Sequence, residues 1–166
     1  MIFGIPLATY TVIHVLLSLA GIGSGFVVLF GLISGKRLNH WTSIFLATTL
    51  ATSLTGFGFP NDHTTPGQVI GVISMVVLAV AIFARYGRRL TSVWGRIYVV
   101  SASLALYLNA FVAVVQSFEK VPVLKAVAPT LSEPAFVGAQ CVVLAGFVIL
   151  GYRAVANFRE SDPRTA

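Results

Sequence analysis

Few side chains in this sequence could do chemistry, and most of those few lie inside apolar stretches. His14, Thr52, Asn109, Gln116 and Gln140 form the candidate ligand-binding set. A polar side chain within a membrane is costly, and it usually faces other helices or a cavity. At 1.5 Å per residue, His14 lies about 10 Å, Asn109 about 13 Å and Gln140 about 9 Å from the outer ends of their stretches. Thr52 and Thr55 fall in the same outer third, and Gln116 lies above them near the mouth. An imidazole and several carboxamides at one depth could hydrogen-bond a small polar molecule or ion, with His14 central and the amides fixing its orientation.

The faces agree with the depths. His14, Ser18, Gly21 and Gly25 follow i, i+4, i+7, i+11, which is one side of a helix. Gly21 to Gly25 is a GxxxG, which lets helices approach closely. Ala102, Ala105, Asn109, Ala113 and Gln116 make a second stripe of small and polar residues. Both stripes should face protein, and Gly21 and Gly25 should meet Ala105. Two readings stay open: the polar groups line an outward-opening pocket, or they satisfy one another and hold helices together.

Other chemistry is excluded more firmly. No apolar core holds Asp or Glu, which argues against a carboxylate proton relay or a Na⁺ site. No Lys lies in an apolar stretch, so a retinal Schiff base is out. HExxH, GxSxG and CxxC are all absent. These absences point away from an enzyme. Asp62 and His63 are the metal candidates, with His14 as a third ligand for Zn²⁺ or Cu²⁺, and a solvated turn is the alternative. A bis-His haem would have to pair His14 with His63. No cofactor is assigned. Cys141, the single cysteine, should pack as a small apolar residue.

The elements that carry these residues follow from hydropathy. The chain has 166 residues, 57% hydrophobic and 10% charged, far below the charge content of a soluble domain. Five apolar stretches, at about 6–34, 41–58, 68–84, 94–118 and 134–158, contain no Asp, Glu or Lys. Each suits the roughly 20 residues that cross a bilayer, and lipid forces them to be helices. The expected fold is one all-α domain over 1–166, a bundle of five transmembrane helices. No cleavable signal peptide is expected, because MIFGIPLATY lacks a basic start.

Charge orients the bundle. Nine of the eleven basic residues fall in alternate gaps and the tail: Lys36, Arg37, Arg85, Arg88, Arg89, Arg96, Arg153, Arg159 and Arg164. Those segments should be cytoplasmic, with the N-terminus outside and the C-terminus inside. The formal charge of +6 therefore reflects topology and not nucleic-acid binding. Trp41 and Trp94 stand at cytoplasmic helix starts as interfacial anchors. The long connection 119–133 has three readings: a short helix from Pro122 in the outer interface, a lid over the bundle, or a plain loop.

The segments HVLLSLAGIGSGFVVLFGL, TSLTGFGFP, ALYLNAFVAVVQ and APTLSEP resemble a group of small bacterial inner-membrane proteins with no activity assigned. The resemblance implies a multi-pass protein of the bacterial inner membrane and carries over no functional residues. The expected function is binding or passage of a small molecule or ion through an outward-facing polar pocket. The alternatives are a structural or accessory subunit of a larger membrane complex, and a haem- or quinone-linked redox protein. Expected partners are the lipid bilayer and either a second copy of the chain or another membrane protein.

Overall fold

The computed structural model describes residues 4–60 and 66–158. Six α-helices run in order: α1 (Leu7–Ile33), α2 (Asn39–Gly56), α3 (Pro66–Ile82), α4 (Val93–Lys120), α5 (Pro122–Val127) and α6 (Pro134–Asn157). Among the described residues, four stretches are long and apolar enough to cross a membrane: Leu7–Ile33, Gly67–Gly87, Val93–Lys120 and Pro134–Asn157. The second expected span, α2, does not reach that hydropathy, because its 18 residues include five threonines and two serines.

Helix ends follow local chemistry. α1 closes in a Schellman turn, with Lys36 N–H on Gly31 O at 2.8 Å and Gly35 N–H on Leu32 O at 3.0 Å. Gly35 takes the left-handed φ of +68° which that turn requires. Pro122 and Pro134 open α5 and α6, where a missing N–H costs nothing.

One boundary departs from expectation. The third span does not close at Ala84. It continues as a π-helical turn, Phe83–Gly87, which brings Arg85 into the helix instead of the following loop. Arg89, Leu90 and Ser92 then adopt positive φ angles of 49°, 58° and 51°. Arg88 N–H closes the π-helical turn on Phe83 O, and the left-handed Arg89 then brings Leu90 N–H to Ala84 O. Those bonds, and burial of the Leu90 side chain, offset the cost of left-handed backbone.

α1, α2, α3 and α4 pack in a ring, each on the next, and α6 packs on α1 and α4. The apolar core lies toward the basic end, built from Val28, Leu29, Leu32, Phe45, Leu78, Tyr98 and Leu106 among others. α5 rests on the end of α4 and buries none of its residues, so it does not close over the bundle as a lid. Cys141 is exposed on the outer side of α6, because that helix buries only Ala154.

Candidate functional site

The polar residues of the half away from the basic end are divided among three helix interfaces. Between α1 and α2, Thr55 is the junction. Its hydroxyl lies 2.8 Å from His14 Nδ1, and its carbonyl accepts the Tyr10 hydroxyl at 2.7 Å. Thr55 stands in the last turn of α2, where its carbonyl also accepts Gly58 N–H at 3.1 Å, so Tyr10 adds a second donor from the neighbouring helix. Phe59 closes the corner with its ring edge-on to both Tyr10 and His14, at 5.2 Å each.

The Thr55 hydroxyl also lies 2.8 Å from Ala51 O and 3.1 Å from Thr52 O. With its one proton on a carbonyl of its own helix, His14 Nδ1 is the donor to Oγ1; with that proton directed at Nδ1 instead, the other tautomer of His14 is held.

Between α1 and α4, Ser18 donates to Asn109 Oδ1 at 3.2 Å. Gly21 makes that approach possible. A Cβ on Gly21 would sit 3.0 Å from both Asn109 Nδ2 and Thr49 Oγ1, and one on Gly25 would sit 2.5 Å from Leu106 and 2.9 Å from Phe45. Gly21, Gly25 and Ala105 are all buried, and the glycine face of α1 packs on α2 as well as on α4. Between α4 and α6, Gln140 donates to the carbonyl of Phe111 at 3.2 Å.

His14, Asn109 and Gln140 therefore bond different partners at different interfaces. Thr52 donates to Thr48 O within its own helix at 2.9 Å. Gln116 is exposed and donates to Glu119 Oε2 at 3.2 Å. Thr49 Oγ1, Asn109 Nδ2, Ser103 Oγ and Gln140 Oε1 are buried and lack hydrogen-bond partners. Essentially no surface of these atoms is open to solvent, so no water-filled space adjoins them. A narrow crevice in the apolar half, lined by Gly25, Phe45, Ala102 and Leu106, is too small for a water molecule.

Asp62 and His63 lie outside the described residues. Among the described residues, no three His, Cys, Asp or Glu side chains gather as a metal site. Tyr10, Thr49 and Phe59 are polar-layer residues that the sequence reading did not select. Tyr10 stands four residues before His14, so extending the small face by one turn would have found it. The Phe111 carbonyl has no sequence signal at all. No family model, curated protein or solved structure matches this chain.

Proposed function

We propose that this chain is a five-crossing bundle of the bacterial inner membrane that acts as a structural or accessory subunit, docking on a partner membrane protein or a second copy of itself. The observation that carries the reading is the pairing of His14, Asn109 and Gln140 across three separate interfaces, which leaves their hydrogen bonds inside the bundle. Side chains already bonded to neighbouring helices are poor receptors for a ligand.

α2 is the fifth crossing in this reading. Its 18 residues rise roughly 27 Å, close to a hydrocarbon core. Thr48, Thr52 and Thr55 each donate their hydroxyl to a carbonyl one turn back, which lowers their cost in lipid below what composition suggests. The basic residues then place the N-terminus outside and the C-terminus inside. A thiol introduced as Thr91→Cys, with Cys141 replaced by Ala, should react only from the cytoplasm. Labelling from the periplasm would refute the orientation.

A small-molecule or ion path is the rival, and the unpartnered Thr49 Oγ1 and Asn109 Nδ2 beside Gly21 favour it. Native mass spectrometry from membranes separates the two. A stoichiometric protein complex without a bound small molecule supports the accessory role. A stoichiometric organic ligand, a metal ion or a haem absorbance contradicts it.

A further inference from the structure

The basic end carries an arrangement that the polar layer does not use. Arg85 donates from Nη2 to Asn39 Oδ1 at 2.7 Å, which ties it to the first residue of α2. Its guanidinium lies over two rings, Tyr98 at 5.4 Å and Tyr86 at 5.5 Å. Tyr86 is itself held by Ser43, with 3.2 Å between the hydroxyls. Beyond the π-helical turn, Arg88 lies over Trp94 at 5.1 Å. Partial burial, and then the charge of Arg85, hold Arg37 below the usual arginine range, so a third guanidinium stands near.

Lys36, Arg89 and Arg96 belong to the same connections and to the first turn of α4. The acids among the described residues are Glu119 and Glu133, at the far end of α4 and the start of α6. Neither of these two described acids lies beside Arg85 or Arg88. Such a cluster of basic residues repels itself and favours any anion at its surface. The first turn of α2 has no side-chain cap and no acid, so its N–H groups add to the same field.

Two features select the kind of anion. A guanidinium laid on an aromatic ring is already ordered. Arg85, with Nε buried and Nη2 on Asn39, presents Nη1, while the exposed Arg88 presents a planar fork that matches phosphate oxygens. Trp41, Phe83 and Tyr86, 45%, 52% and 54% exposed, ring this end as interfacial aromatics do, which puts the arginines at headgroup depth.

We propose that Arg85 and Arg88 bind the phosphate of an anionic phospholipid in the leaflet at this end of the bundle. The proposal rests on the membrane reading and is independent of the accessory role. Stacked on Tyr98 and Trp94, the two guanidiniums grip the phosphate while the lipid chains lie along the exposed apolar flank of α3.

The test uses the full chain in detergent, titrated with phosphatidylglycerol or phosphatidylcholine and read by native mass spectrometry. One phosphatidylglycerol should be retained per chain, and phosphatidylcholine should be lost on mild activation. Arg88→Gln, at an exposed position, should lower retention about tenfold, and Arg85→Gln should do the same. Arg153→Gln removes the same charge from α6 and should change retention by less than about twofold. Equal retention of phosphatidylcholine, or an equal loss with Arg153→Gln, would overturn the site. Displacement of the lipid by millimolar inorganic phosphate would make the ligand a soluble phosphate and overturn it too. Lipid retention that emerges only after Glu160→Gln with Asp162→Asn would assign the site to the chain's own tail. If Arg85→Gln does not fold, Arg88→Gln and the comparison of two lipids on the wild type still decide.

Discussion

Replacing Gly25 by Ala should destabilise the bundle, while the same change at Gly23 should not. The two glycines lie two residues apart on α1, so any gain in helix propensity, up to about 1 kcal/mol, is common to both. Their surroundings differ. A Cβ on Gly23 meets nothing within 4 Å, whereas one on Gly25 would sit 2.5 Å from Leu106 Cδ1 and 2.9 Å from the Phe45 ring. Both neighbours are 1% exposed and have little room to retreat. Leu106 and Phe45 must therefore shift to admit the methyl, at the usual overpacking cost of about 1–3 kcal/mol. With propensity cancelled, Gly25→Ala should be less stable than Gly23→Ala by about that amount. Reversible unfolding in mixed micelles, followed by tryptophan fluorescence, measures the difference. Equal stabilities, or a larger loss at Gly23, would refute the assignment of the Gly21–Gly25 face to the α1–α2–α4 contact.

The remaining predictions concern hydrogen bonds. In a double-mutant cycle, Thr55→Val and His14→Ala should couple by roughly 0.6 kcal/mol and at most about 1.7, the average and maximum for interhelical bonds in such cycles, and additivity of the two changes would remove the bond from the account. Tyr10→Phe should lose the second donor to the Thr55 carbonyl at a cost of about 0.5–1.5 kcal/mol, and an unchanged unfolding midpoint would count against that bond. Glu133 anchors the turn before α6 through Thr130 Oγ1 at 2.8 Å, Ser132 N–H at 3.0 Å and Thr130 N–H at 3.1 Å. Slight desolvation pushes its carboxyl up, but these hydrogen bonds outweigh it and hold the group below the usual carboxylate range. A depressed pKa stabilises the turn above the unfolded value and loses that contribution as pH falls through the folded value. Exchange protection at Thr130 and Ser132 should therefore fall on acidification in the wild type and stay flat in Glu133→Gln, and identical profiles would exclude the carboxylate as the latch.

Much of the helical layout was legible because lipid leaves the backbone few choices. Apolar runs such as 134–158 had to be helices, and Pro134, Gly35 and Pro122 marked ends through local chemistry. α2 formed as a helix where expected but falls short of a span by hydropathy, and Thr48, Thr52 and Thr55 each bond a carbonyl one turn back. The π-helical turn was not legible, because Phe83–Gly87 carries no breaker before Gly87 and its bonds depend on Leu90 finding a buried place. At the polar layer, depth and face drew attention to His14, Ser18, Gly21 and Asn109. Depth alone could not tell a shared space from three separate pairs. That distinction depends on the rotation of α6 and on the Phe111 carbonyl that Gln140 reaches, and neither has a signature in side-chain order.

Water access to Ser18 tests the central claim most directly, because Ser18 and Asn109 stand where a pocket would have to open. With Cys141 replaced by Ala, Ser18→Cys changes one atom and sets a thiol against Asn109 Oδ1. The account predicts that a small, charged, water-soluble thiol reagent applied to the folded protein leaves position 18 unmodified, while the unfolded protein reacts fully. Rapid modification of the folded protein from the outer side, slowed by a bound small molecule, would show a water-filled site and contradict the account.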